Sequence, residues 1–198
     1  LLMLFPAIIL AGVCQLTAYS ARPGSVGTVP LTLPPSIVAA STLGELPAEA
    51  KTLLVFYHPR CPCTRSTARN LARFAASFRN AVQIVAFGFQ PNNTGSEWMD
   101  TDITRQFMSI EGCTVVPDLD AEMARSFDVH TSGHVLLYSH EGNLRFSGGI
   151  TPSRGHEGES NSASQLVSLI NSDELASLTA SQWPCFGCRI YPDKEIMQ

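Results

Sequence analysis

The feature that most narrows the possible folds is a junction near residue 60. Thr52-Leu53-Leu54-Val55-Phe56-Tyr57 is an almost unbroken apolar run, followed at once by His58-Pro59-Arg60 and then Cys61-Pro62-Cys63. An apolar run without alternation marks a strand buried on both faces, which needs a helical layer on each side of the sheet. Pro59 ends the strand. Over residues 64–78, Ala68, Leu71, Ala72, Ala75 and Phe78 recur at the spacing of one helical face. Two cysteines therefore stand at the start of the first long helix of this unit. There, unpaired backbone N–H groups and the helix dipole favour thiolate over thiol. Arg60 and Arg65 add positive charge nearby.

The rest of the chain supplies the other elements of such a sheet. Residues 81–87 read as a second buried strand, and 96–110 as a helix after a Pro-Asn-Asn loop. Residues 114–118 form a short strand, and Asp120 caps a helix running to Phe127. Residues 134–138 and 144–147 flank Glu141-Gly142-Asn143 and predict a hairpin. A Gly/Ser-rich loop over 148–161 leads to a last helix over 163–170. The predicted order is β-α-β-α-β-α-β-β-α, an α/β class.

Outside this unit the composition shifts. The first 21 residues carry no charge, and residues 1–10 suit the apolar core of a signal peptide. With the weaker stretch to Ala18 they also suit a membrane anchor. Residues 22–50, with Pro23, Pro30, Pro34, Pro35 and Pro47, predict an extended linker. The domain is expected over 51–172, and a tail with a Cys-x-x-Cys over 173–198. This arrangement predicts a place outside the cytoplasm, in a bacterial periplasm or on the outer face of a membrane, with anchoring there as one option. A net charge of −4 argues against nucleic acid as a partner. Of six cysteines, Cys14 lies in the apolar segment. Cys61 with Cys63, Cys185 with Cys188, and a single Cys113 suit redox or metal chemistry better than structural stapling.

This order, with a cysteine pair between first strand and first helix, resembles the thioredoxin superfamily. Within it, the chain is similar to the extended branch of thiol–disulfide reductases and peroxiredoxins. The resemblance covers about residues 51–170. It rests on Leu54-Val55-Phe56-Tyr57-His58-Pro59-Arg60-Cys61-Pro62-Cys63, on Pro117-Asp118-Leu119-Asp120 with Phe127-Asp128-Val129, and on Val135-Leu136-Leu137-Tyr138 with Glu141-Gly142-Asn143. Ser147-Gly148-Gly149-Ile150-Thr151 and Ser153-Arg154-Gly155-His156, after the Cys-Pro-Cys, are also similar to a bacterial group labelled RedB-like. The resemblance implies a thioredoxin-like three-layer fold with a mixed central sheet. It implies exchange with protein thiols or disulfides, no organic cofactor, and a partner protein that supplies or removes reducing equivalents. It gives Cys61 the part of exposed attacker and Cys63 that of resolver. Two features depart from the pattern. The usual Cys-x-x-Cys lacks one spacer residue, and Gly133 occupies the position of the family's cis-proline. Closing a disulfide across a single residue distorts the ring, which predicts an oxidising couple.

Other side chains are expected near this edge of the sheet. The loop after the hairpin brings Arg154, His156 and Glu157 over Cys61, with His156 a candidate base. His58, His130 and His134 converge on the same edge. An alternative reading is a copper-binding module built from Cys61, Cys63, His58 and His134. Cys185 and Cys188 form either a relay to the first pair or a local disulfide. A four-cysteine zinc site would need the tail to fold across the active site. Cys113 is expected to be buried and inert. Arg65, Arg69 and Arg73 form a basic stripe of the kind usually solvated.

Overall fold

The computed structural model describes residues 4–34, 50–78, 81–172 and 179–192. Strand β1 (Lys51–Tyr57) is the organising element. It pairs in parallel with β2 (Val82–Gln90) and antiparallel with β4 (His134–Tyr138). Beyond β2 lies β3 (Cys113–Leu119), and beyond β4 lies β5 (Leu144–Gly148). β6 (Ser181–Gln182) completes a sheet of order β3-β2-β1-β4-β5-β6. A parallel half thus meets an antiparallel hairpin on β1, which is the thioredoxin-like arrangement the sequence predicts.

The unbroken apolar run of β1 follows from its central place. Strand alternation sends Leu53, Val55 and Tyr57 to one face, where helices α2 (Pro62–Ala75), α3 (Asp102–Met108) and α5 (Asn161–Asn171) contribute Leu71, Phe107, Leu166 and Ile170. Leu54 and Phe56 go to the other face, against Ala124 of α4 (Glu122–Ser126) and Phe127. Each such side chain contributes roughly 1.5–3 kcal/mol by leaving water. Neither face can be polar.

Two local expectations give way to better caps. The helix predicted over 96–110 divides into a 3-10 turn, Ser96–Trp98, and α3. Thr101 starts α3 anew, its hydroxyl accepting the Thr104 N–H at 3.2 Å. At α4, Asp118 rather than Asp120 takes the free helix amides, accepting from Met123 at 2.8 Å and Ala124 at 3.0 Å.

The flanking segments lie against the domain only in part. The charge-free segment forms α1 (Leu4–Ala21), with Ile8, Leu10 and Leu16 exposed. Among the described residues no helix is long and apolar enough to cross a membrane. The linker expected over 22–50 is not free in its first part. Leu144 N–H donates to Leu31 O at 2.8 Å, Leu33 N–H to Gly142 O at 2.7 Å, and the Tyr138 hydroxyl to Pro30 O at 2.9 Å. Val29 is buried beside Leu144 in the second core. Prolines suit this lining of the hairpin because they ask for no partner for an N–H. Residues 35–49 lie outside the described set. The tail, expected as an appendage, supplies β6 and buries Ile190 and Tyr191 in the same core.

Candidate redox site at the start of helix α2

Cys61 is the N-cap residue of α2, Pro62 opens the helix, and Cys63 lies in its first turn. Proline fits there because its missing N–H would have no helical partner. The turn is fixed from behind by Cys61 N–H donating to His58 O at 3.0 Å. A third cysteine joins them from the far end of the sequence. The Sγ atoms of Cys61, Cys63 and Cys188 all lie within 4.8 Å of one another.

Cys188 is delivered by a strap that continues from β6. Trp183 N–H donates to Ser147 O at 2.9 Å, Gly149 N–H to Pro184 O at 3.3 Å, and Gly24 N–H to Cys185 O at 2.8 Å. The strap then runs antiparallel to the segment before β4. Ser132 N–H donates to Cys188 O at 2.8 Å, Thr131 and Arg189 form a bridge, and Ile190 N–H donates to His130 O at 2.9 Å. Gly187 is required at the crossing, since a Cβ there would stand 1.9 Å from Ser132 O. Sequence reasoning placed this Cys-x-x-Cys outside the fold. The signal that was present is Trp183-Pro184 with Gly187, a stiff apolar lead followed by a residue that allows close backbone approach.

The strap changes the expected character of Cys61, which is 2% exposed rather than an open attacker. Burial alone raises a thiol's pKa. Here hydrogen bonding wins: the Cys188 thiol donates to Cys61, and with help from the Thr64 hydroxyl holds it down to about 4. The Thr64 and Ser132 hydroxyls lie 2.6 Å apart, and Ser132 Oγ accepts the His58 N–H at 2.8 Å. The chain of donors therefore runs from His58 through Ser132 and Thr64 toward the Cys61 sulfur. The Cys188 thiol is pushed up first by its hydrogen bond to Cys61 and then by burial. Burial, then the charge of Cys61, pushes Cys63 up. The Arg60 guanidinium lies 3.8 Å over the Trp98 ring. Cys113, expected to be buried, is half-buried, and desolvation pushes its thiol up to about 12.

The remaining candidates separate into those that reach the site and those that do not. Gly133 has φ +90° and donates its N–H to Phe56 O at 2.8 Å; a Cβ there would meet Thr67 Oγ1 at 2.7 Å. Arg154 donates to Gly187 O and to Arg22 O, clamping the strap, and its charge favours the Cys63 thiolate. His156 is exposed beside Ser153 Oγ and Arg154 O, and Glu157 pairs with Arg69, so neither overhangs Cys61. His58 Nδ1 accepts the Arg60 N–H at 3.1 Å, with its ring against Phe89. His134 is buried, its Nε2 2.9 Å from Ser147 Oγ, and burial pushes it down to about 4. Neither imidazole joins the sulfurs, so the predicted set of Cys61, Cys63, His58 and His134 is not assembled. Among the described residues the one group close enough to hold a metal ion is the three cysteines. His130 holds the strap instead, through Tyr191 hydroxyl at 2.9 Å.

Cys185 and Cys188, expected as a relay or a local disulfide, take different places. Its thiol is fully buried and donates to Ser132 O at 3.9 Å, while Cys188 faces Cys61. The two are turned to different partners, and all six cysteines are free thiols.

No family model and no curated protein matches the chain. Solved structures do. An uncharacterized conserved protein from Geobacillus kaustophilus is similar over 88% of this chain and 91% of its own, at 16% identity and TM-score 0.56. The hypothetical protein SMc02350 from Sinorhizobium meliloti is similar over 88% and 98%, at 17% identity and TM-score 0.56. A secreted Mycobacterium tuberculosis disulfide oxidoreductase is similar over 63% and 82%, at 18% identity and TM-score 0.45. The chain has a thioredoxin-like fold, with a cluster of three cysteines at the start of its helix α2.

Proposed function

We propose that this chain is an extracytoplasmic thiol–disulfide oxidoreductase acting on protein thiols and disulfides, with Cys61 as its reactive sulfur. The observation that carries this reading is the buried Cys61 sulfur at the N-cap of α2, with the Sγ atoms of Cys63 and Cys188 within 4.8 Å and the Cys188 thiol as a donor to it. A thiolate at neutral pH is both the nucleophile and the good leaving group of disulfide exchange. A second sulfur within reach lets a mixed disulfide resolve inside the chain. The apolar, charge-free segment ahead of the domain supports a place outside the cytoplasm. The test is turnover of a protein disulfide, such as those of insulin, by the reduced chain and by its Cys61→Ser variant. Loss of at least a hundredfold in rate is expected. Equal rates for the two would overturn the reading.

A further inference from the structure

We propose that Cys61 and Cys188, not Cys61 and Cys63, form the exchanging disulfide of this site, the strap carrying the second sulfur. The inference rests on the oxidoreductase reading above and names the sulfur that pairs with Cys61 and meets the external partner.

Three observations converge on Cys188. First, it is held in place from outside the helix that carries Cys61. Ser132 N–H holds its carbonyl, the Thr131–Arg189 bridge holds the next residue, and Arg154 holds the carbonyl of Gly187 before it. Second, its thiol already points at Cys61 as a hydrogen-bond donor. Cys63 must reach Cys61 across Pro62 alone, a closure that departs from preferred disulfide torsions. Cys188 approaches through space from a separate segment and meets no such restriction. Third, the two sulfurs differ in access: Cys61 is buried and Cys188 half-buried. An external partner meets Cys188, which like Cys63 is half-buried, before it meets Cys61.

These positions give a complete exchange. In the oxidised chain, an external thiolate RS⁻ attacks Cys188 Sγ, the S–S bond to Cys61 breaks, and Cys61 leaves as thiolate. A second external thiolate then attacks the sulfur of R, forming the external disulfide and releasing Cys188, which takes up one proton. Two external thiolates lose two electrons, and Cys61 with Cys188 gains them. The reverse sequence, with an external disulfide as oxidant, restores the Cys61–Cys188 bond. The direction of attack follows from leaving-group quality, because the sulfur with the lower pKa departs faster. Once expelled, Cys61 is again held by the returning Cys188 proton.

The test uses the full chain. Reduced protein is oxidised with glutathione disulfide, alkylated to block remaining thiols, digested with trypsin and mapped by mass. Cleavage after Arg60 and Arg65 releases Cys61 and Cys63 on one short peptide, and cleavage after Arg154 and Arg189 releases Cys185 and Cys188 on another. A cross-link joining the two peptides is expected in most molecules, kept by Cys63→Ser and Cys185→Ser and lost in Cys188→Ser and Cys61→Ser. A disulfide closed within the short peptide overturns the inference and leaves the oxidoreductase reading standing. A cross-link that survives Cys61→Ser or Cys188→Ser also overturns it. If Cys61 enters no disulfide at all, both readings fall. Fragmentation of the cross-linked pair, which locates the alkylated cysteine on each peptide, decides the matter in the wild type even where a variant does not fold.

Discussion

Replacing Cys188 by alanine removes the hydrogen bond that does most to hold the Cys61 proton off. The structure gives the sign and the scale. Cys61 sits at about 4, with the Cys188 thiol the first cause of the lowering and burial opposing it. A hydrogen bond to a charged group contributes roughly 1.5–3 kcal/mol. At about 1.4 kcal/mol per pKa unit, its loss moves the midpoint up by about one to two units. At pH 5 the thiolate fraction then falls from about nine-tenths to half or less. The assay is ultraviolet absorbance of the thiolate in a Cys14→Ser background, because absorbance reads ionisation without needing reagent access to a buried sulfur. Cys63, Cys113, Cys185 and Cys188 are all pushed up, so they do not titrate in the acid range. Cys188→Ser keeps a donor and gives a smaller rise than alanine. A midpoint unmoved in Cys188→Ala would refute the reasoning. So would equal rises in the two variants, because the effect would then be one of packing.

Other expectations follow from the same contacts. Since the folded Cys61 pKa lies below that of the unfolded thiol, its contribution to stability is present above the unfolded value and is lost as pH falls through about 4. The reduced wild type therefore loses more stability than Cys188→Ala between neutral pH and pH 4, measured by urea unfolding at each pH. Arg154→Met releases the Gly187 carbonyl from its clamp. Alkylation of Cys61 by iodoacetamide should speed up about fivefold, a loosening of roughly 1 kcal/mol, and an unchanged rate would show that the strap does not govern access. The site's disulfide should have a potential well above the roughly −300 mV under which structural disulfides lie. Equilibration against glutathione measures it. Gly133→Ala forces a side chain into φ +90° and against Thr67, which should lower stability by about 1–3 kcal/mol in thermal unfolding.

The fold was legible because its sheet is buried on both faces, which leaves a plain mark in the sequence. Thr52 to Tyr57 could be read without knowing the neighbours, and so could the helical spacing after Cys63. Where local chemistry competed, the reading slipped. Thr101 interrupts a stretch whose apolar spacing alone runs on from 96 to 110, because a hydroxyl cap does not register in hydrophobic periodicity. Cys61 was legible as a helix-terminal thiol from its place after Pro59 alone. Its burial was not, because the covering segment comes from the far end of the sequence, and periodicity carries no information about which distant segment returns. The histidines misled for a related reason. His58 and His134 are near the site in sequence and topology, but one ring is held by the Arg60 amide and the other by the Ser147 hydroxyl.

The strap and Gly133 are two parts of one arrangement. Gly133 offers no side chain at this edge of the sheet, and the backbone groups of Ser132 beside it need partners. Unpaired backbone groups in a buried setting are costly. The strap meets both: Cys188 O takes the Ser132 N–H, and the Cys185 thiol donates to Ser132 O. Gly187 permits the approach, since any larger residue would collide with Ser132 O. The pairing that covers the site is therefore also what aims Cys188 at Cys61. Loosening the backbone pairing withdraws the thiol's hydrogen bond, raises the Cys61 pKa and exposes its sulfur together. A bulkier residue such as Gly187→Val should produce all three changes at once. Exposure without a shift in ionisation would show that cover and chemistry are separate.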